Sequence, residues 1–208
     1  MLARDRKEAG EKIAGKLEKT GLKPDRVLAI ASGGVVVGRN VANRAGADVE
    51  MMAVEDINAP EMPEVVVGSV TYDGTLALND GVMSELGVRP EYIENARISA
   101  KREAERFFNL YSSRKEMDSL AGESVAIIDD GSTSNPGILA AAGHAKKRGA
   151  EKVCIAVPAV ERKARKQFDQ VADQLAVLEE VESRSDVSEL YESSEWVSEK
   201  DLKRYIGD

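Results

Sequence analysis

V-A-I-I-D-D-G-S-T-S-N-P-G-I-L-A-A-A-G-H-A-K-K-R-G-A, residues 125–150, joins an apolar run to paired acids, a hydroxyl-rich turn and a helix. Val125–Ile128 is unbroken by polar residues, as in a strand covered on both faces, and such strands belong to parallel sheets. Asn135 suits an N-cap, Pro136 the first helical position and Gly149 the helix stop. The turn Gly131, Ser132, Thr133 and Ser134 then faces the positive end of a helix dipole, which attracts anions. Asp129 and Asp130 fall at the carboxyl end of the strand. There they can accept from sugar hydroxyls or hold a hydrated magnesium ion while the turn takes a phosphate. In isolation two such acids also cap turns, but a strand before them and a helix after favour the ligand role. As a turn at the strand ends they are expected at the surface, so that Asp130→Asn weakens ligand binding and leaves the fold intact.

Outward from this stretch, strands and helices alternate, which predicts an α/β fold: a doubly wound, mostly parallel sheet with helices on both faces. Residues 4–20 have Ala9, Ile13 and Leu17 at helical spacing, with Gly21 as a stop. Val27–Ala31 reads as the first core strand, and Ser32-Gly33-Gly34 opens a helix to Ala45 capped by Gly46. Val49–Val54 reads as the next strand. Val65–Thr71 and Thr75–Leu78 flank Asp73-Gly74, a hairpin signal that predicts two antiparallel strands in an inserted flap. A short helix is expected over 79–86 and a longer one from Pro90 to Tyr111, with Ile93, Ala96, Ala100, Ala104, Phe107 and Tyr111 as its apolar stripe. Lys152–Val160 and Gln174–Val181 complete the strands, separated by a helix carrying Phe168. No linker divides the chain, so residues 1–208 are expected to form one domain with a hairpin and helix insertion at about 59–118.

Among 208 residues, 42% are hydrophobic and 32% charged, enough for a real core and a solvated surface. No run reaches the length of a membrane span and the first residues lack a signal-peptide core, so a cytoplasmic protein without a membrane partner is expected. A net charge of -8 argues against general nucleic-acid binding. The single cysteine, Cys154, lies in an apolar run and reads as a core thiol. The single histidine, His144, sits beside Lys146 and Lys147 and reads as an exposed helix residue, which leaves zinc sites and histidine triads without support.

The stretch at 125–137 resembles the ribose-phosphate signature of type I phosphoribosyltransferases: aliphatic residues, two acids, then a turn written G-I/L-A-T-G-x-T. R-V-L-A-I-A-S-G-G-V-V-V-G at 26–38 resembles that family's first strand and pyrophosphate loop, which in the closest subfamily reads A-L-P-R-G-G-V-P-V. The order of A-P-E-M-P-E-V-V-V-G-S-V at 59–70, L-N at 78–79 and R-x-x-x-L-Y ending at Tyr111 is similar to that of predicted phosphoribosyltransferases of bacteria and archaea. The resemblance runs from Arg4 to about Tyr205. It implies transfer of phosphoribose from phosphoribosyl pyrophosphate to a nitrogen base, as a transferase of nucleotide metabolism that uses magnesium. Ser32, Gly33 and Gly34 would hold the diphosphate, Asp129 and Asp130 the ribose hydroxyls, and Gly131, Ser132, Thr133, Ser134, Asn135 and Gly137 the 5′-phosphate. Assembly as a homodimer is left open.

Three departures stand against the family's pattern. Ser134-Asn135-Pro136-Gly137 replaces T-G-x-T, so the last hydroxyl is lost and Pro136 donates no amide. Ser32 replaces an arginine, removing a bidentate donor. Where the subfamily has V-R-K-L-G-A-P, this chain has Val54-Glu55-Asp56-Ile57-Asn58-Ala59-Pro60. At roughly 6 Å and an effective dielectric of about 20, each such charge matters by about 3 kcal/mol. Every ~1.4 kcal/mol is tenfold in affinity. Some relatives place a carboxylate that assists proton transfer at the position of Thr133, and this turn supplies none. Convergence of strand ends on one edge places Glu55 and Asp56 on the rim shared by Asp129 and Asp130, where a divalent ion, magnesium or calcium, would bridge acids and phosphate. The alternative is that Glu55 and Asp56 point to solvent from a loop. The sequence therefore supports two readings: an enzyme, and a non-catalytic relative that senses a nucleotide or sugar phosphate.

Overall fold

The apolar runs pair side by side because each is covered above and below by helices. A computed structural model describes residues 1–112, 119–131, 135–182, 186–195 and 197–206. Helix α1 (Arg6–Thr20), strand β1 (Arg26–Ile30), helix α2 (Gly33–Ala45) and strand β2 (Asp48–Met52) come first. Strands β3 (Val54–Asn58), β4 (Val66–Thr71) and β5 (Leu76–Leu78) follow, then helices α3 (Asp80–Glu85) and α4 (Pro90–Tyr111). Strand β6 (Ser124–Ile128), helix α5 (Asn135–Lys147), strand β7 (Lys152–Glu161), helix α6 (Arg162–Val171) and strand β8 (Gln174–Val181) complete the alternation. A 3-10 turn at Val187–Leu190 and helix α7 (Glu199–Ile206) close the chain's described part.

The main sheet has the order β2-β1-β6-β7-β8 with every pairing parallel. All of β1, and β6 from Val125 to Ile128, are buried, which is why they carry no polar alternation. Helices start from the ends of these strands. Asp5 begins α1 by accepting from the Glu8 amide at 2.8 Å, and Gly21 ends it with a left-handed φ of 76°. The strand order reverses direction between β1 and β6. Such a switch point leaves a crevice at the carboxyl ends of its two strands, because the helices after them go to opposite faces.

The strand expected over Val49–Val54 is two strands. The chain leaves the main sheet after Met52 and β3 pairs antiparallel with β4, which pairs with β5. Ala53 marks the turn-off, its carbonyl accepting from the Tyr72 amide at 3.1 Å. The hairpin at Asp73-Gly74 forms as expected, with Gly74 at φ 86°. It belongs to a three-stranded sheet packed on α4 and α5, in which β3, starting at Val54, adds a strand to the two expected.

Tyr72 stacks on Phe108 at 3.9 Å between ring centroids, so Phe108, with Tyr111, is buried on α4 and Phe107 only half-buried. His144 corrects the reading of an exposed side chain. It is fully buried, its Nδ1 lying 3.1 Å from Asp73 Oδ1, because the hairpin covers this part of α5. Cys154 is buried as expected, and burial pushes its thiol up to about 12. Among the described residues no helix is long and apolar enough to cross a membrane.

Candidate functional site

A cleft of about 420 Å³ opens where β1 and β6 end. Ser32 and Gly33 reach it from the start of α2, Asp129 and Asp130 from the end of β6, and Gly137 from the first turn of α5. Glu55 and Asp56 of β3 form a further wall. Gly34, expected with this group, does not line the cleft and serves packing: a Cβ there would meet the Ile128 carbonyl oxygen at 3.0 Å. Gly131 is buried with φ 97°, and its amide donates to Asp129 Oδ2 at 3.3 Å. Ser132, Thr133 and Ser134 lie outside the described residues, as does the side chain of Asn135. Helix α5 already includes Asn135, one residue earlier than an N-cap there implies.

The paired acids are not on the surface. Asp129 is 3% and Asp130 7% exposed. Arg6 donates from Nε to Asp130 Oδ2 at 2.8 Å, and both side chains are largely buried. The Tyr191 hydroxyl donates to the Asp130 backbone oxygen at 2.5 Å. Arg6 also donates from Nη1 to the Glu195 carbonyl oxygen at 2.9 Å and lies 5.3 Å from the centre of the Tyr191 ring. The expectation that Asp130→Asn spares the fold is corrected on this ground, since it removes one partner of a buried ion pair.

Glu55 and Asp56 do share the rim with Asp129 and Asp130, from a strand and not from a loop. Partial desolvation raises the Glu55 carboxyl, and repulsion from Asp56 and Glu103 adds to it against Arg106. Asp56 accepts from Ser69 Oγ at 2.5 Å. The four acids line one cleft without gathering at one point. Among the described residues no three His, Cys, Asp or Glu side chains converge as ligands. The physical reason is that Asp130 turns to Arg6 and Asp56 to Ser69. Two carboxylates at Asp129 and Asp130 still fit a magnesium ion that brings most of its ligands as substrate phosphates and water.

Sequence reasoning missed Arg6, which supplies a cation 124 positions from the acid it meets. It missed Tyr191, Ser194 and Val197 as well, of which Ser194 and Val197 line the cleft. The available signal for these was the reach of the resemblance, which runs through this closing segment to about Tyr205 without singling them out. The structure ties that segment to the start of the chain: Glu192 and Ser193 amides donate to the Ala3 and Arg4 carbonyl oxygens at 3.1 and 2.8 Å.

Residues 3–192 match the family described as "Phosphoribosyl transferase domain". Two proteins from different strains of Mycobacterium tuberculosis, each carrying the name "Putative phosphoribosyl transferase", are 33% identical over 165 residues. The match covers 74% of this chain and 35% of each relative, so the chain spans about a third of their length. The crystal structure of TT1426 from Thermus thermophilus superposes with a TM-score of 0.78 at 27% identity, covering 99% of this chain and 98% of that one.

Proposed function

The chain belongs to the phosphoribosyl transferase domain family, and from that premise we propose that it transfers phosphoribose between phosphoribosyl pyrophosphate and a nitrogen base. One observation carries the reading: Ser32-Gly33 and Asp129-Asp130 meet across the β1/β6 switch point, with Gly137 of α5 beside them. In this reading the amino end of α5 takes the 5′-phosphate, Asp129 and Asp130 accept from the ribose hydroxyls, and the start of α2 takes the diphosphate. The C1′–O bond to diphosphate breaks with its electron pair leaving on the diphosphate, and a base nitrogen forms the new bond to C1′. Protein groups favour this by holding the sugar between fixed dipoles as it becomes oxocarbenium-like. Magnesium, held by Asp129 or Asp130 and the substrate's phosphates, would neutralise charge on the departing group.

The second reading, a non-catalytic relative that senses a nucleotide or sugar phosphate, is favoured by the carboxylates of Glu55 and Asp56 facing the same cleft. Calorimetric titration separates the two. Transfer chemistry predicts that phosphoribosyl pyrophosphate with magnesium binds more tightly than a nucleoside monophosphate and that a suitable base releases diphosphate. Tighter binding of the monophosphate, with no diphosphate released from any of the common bases, makes the protein a sensor.

A further inference from the structure

The described lining of the cleft presents four carboxylates, at Glu55, Asp56, Asp129 and Asp130, and one cationic side chain, Arg6. A phosphate-bearing ligand in such a cleft meets net repulsion unless that cation answers it. Arg6 is placed to do so. A Cβ built on Gly33 would lie 2.7 Å from Arg6 Nε and 1.9 Å from Asp130 Oδ2, so the ion pair lies flush against the first turn of α2. Ser32, the neighbouring residue at the mouth of this turn, brings no charge of its own.

The guanidinium is not used up. It has five N–H donors in a rigid fork. Nε is committed to Asp130 and Nη1 to the Glu195 carbonyl oxygen, while Nη2 donates to no partner among the described residues. Its remaining surroundings fix the side chain's place, through the Tyr191 ring on one side and the Gly33 backbone on the other.

Resting on the reading of the cleft as a phosphate-ligand site, we propose that Arg6 is its anion-binding residue. Helix α1 delivers the cation to the turn at Gly33. There one edge of the guanidinium holds Asp130 in place for a sugar hydroxyl while the free Nη2 donates to the ligand's diphosphate oxygens. The site thus recognises a diphosphate and a hydroxyl-bearing sugar through a single side chain that touches the residues for both.

The test separates this role from a purely structural ion pair. Removing both partners, in Asp130→Asn with Arg6→Gln, avoids leaving a lone buried charge. Inorganic diphosphate is titrated without magnesium, so that no metal-holding role of Asp130 enters, into this double variant, into Asp130→Asn alone and into the wild type, with the folded state of each verified by its melting curve. The expected result is that Asp130→Asn binds diphosphate at least as well as the wild type and that adding Arg6→Gln lowers affinity roughly tenfold or more. Arg6→Lys gives an independent reading, since a lysine keeps a charge for Asp130 but lacks the fork; it should weaken diphosphate while the melting temperature holds.

Equal affinity in Asp130→Asn and the double variant, or undiminished binding by Arg6→Lys, overturns the inference, and binding of phosphoribosyl pyrophosphate by the wild type would still uphold the transferase reading. Conversely, a wild type that prefers a nucleoside monophosphate, bound with the same dependence on Arg6, upholds the inference while the transferase reading falls. A wild type that binds none of these phosphates overturns both.

Discussion

A buried arginine and a half-buried one mark opposite ends of the parallel sheet, and they are neutralised to different degrees. At the amino ends of the strands, Arg26 of β1 contacts Glu50 of β2 and donates to both carboxylate oxygens of Glu123, at 2.7 and 2.9 Å. Hydrogen bonding to Glu123, with Glu50 adding to it, raises the Arg26 guanidinium well above its ordinary value despite burial. At the carboxyl ends, Arg6 meets Asp130 with further acids facing the cleft and part of its fork free. The lower cluster stitches three neighbouring segments and has little left to offer a ligand. The upper one is short of positive charge.

The lower cluster should give the largest effect on stability. Arg26→Met removes the cation that Glu50 and Glu123 share and should cost roughly 3 to 5 kcal/mol, lowering the melting temperature by on the order of 10 °C. A midpoint within about 2 °C of the wild type would break the comparison, because the lower arginine would then not be the structural one.

Asp73 should come next. Burial alone would raise its carboxyl, but the close approach of His144 and hydrogen bonds from Thr71 and Lys147 hold it far below its ordinary value of 3.8. A depressed folded-state value means stability that is fully present above the unfolded value and lost as pH falls below it. Asp73→Asn should therefore destabilise by about 2 kcal/mol at neutral pH. Urea denaturation below about pH 4 should show that gap closing. A gap independent of pH would show that the contact is steric and not ionic.

The smallest effect concerns ligand affinity. Glu55→Gln should strengthen diphosphate binding about threefold to tenfold at pH 7.5. Because the Glu55 carboxyl is raised by its desolvation and its acidic neighbours, the wild type loses this charge earlier than an ordinary glutamate as pH falls, and the advantage of the variant should be smaller at pH 5 than at pH 7.5. Calorimetry at the two pH values checks both statements; an advantage that grows on acidification would place the effect elsewhere.

Much of the architecture was legible because buried parallel strands announce themselves. Val27–Ile30, Val125–Ile128 and Val153–Val157 needed only their own composition, and α4 was bounded by Pro90 and Tyr111 as read. The break at Ala53 was not legible. Apolar character continues across it, and a strand's own residues do not say where it changes partners. His144 was misread for a related reason: its neighbours in sequence are basic, while the hairpin that buries it comes from about 70 residues earlier. The acids at 129 and 130 were found from local punctuation, strand before and helix after. Their burial and their arginine depend on contacts between the two ends of the chain.

The switch point also has a consequence for how the molecule is made. During synthesis β1 can pair early with β2, since Arg26 finds Asp48 a short distance downstream. Its other edge must wait for β6: the Ser124 amide that donates to Asp25 comes 99 positions later. Until then a strand of wholly buried residues has one side open to any other chain nearby, a state prone to mispairing. The seam that gives the cleft its floor is therefore closed late on the ribosome, and slow, concentration-sensitive refolding in dilute buffer is the behaviour such a topology produces.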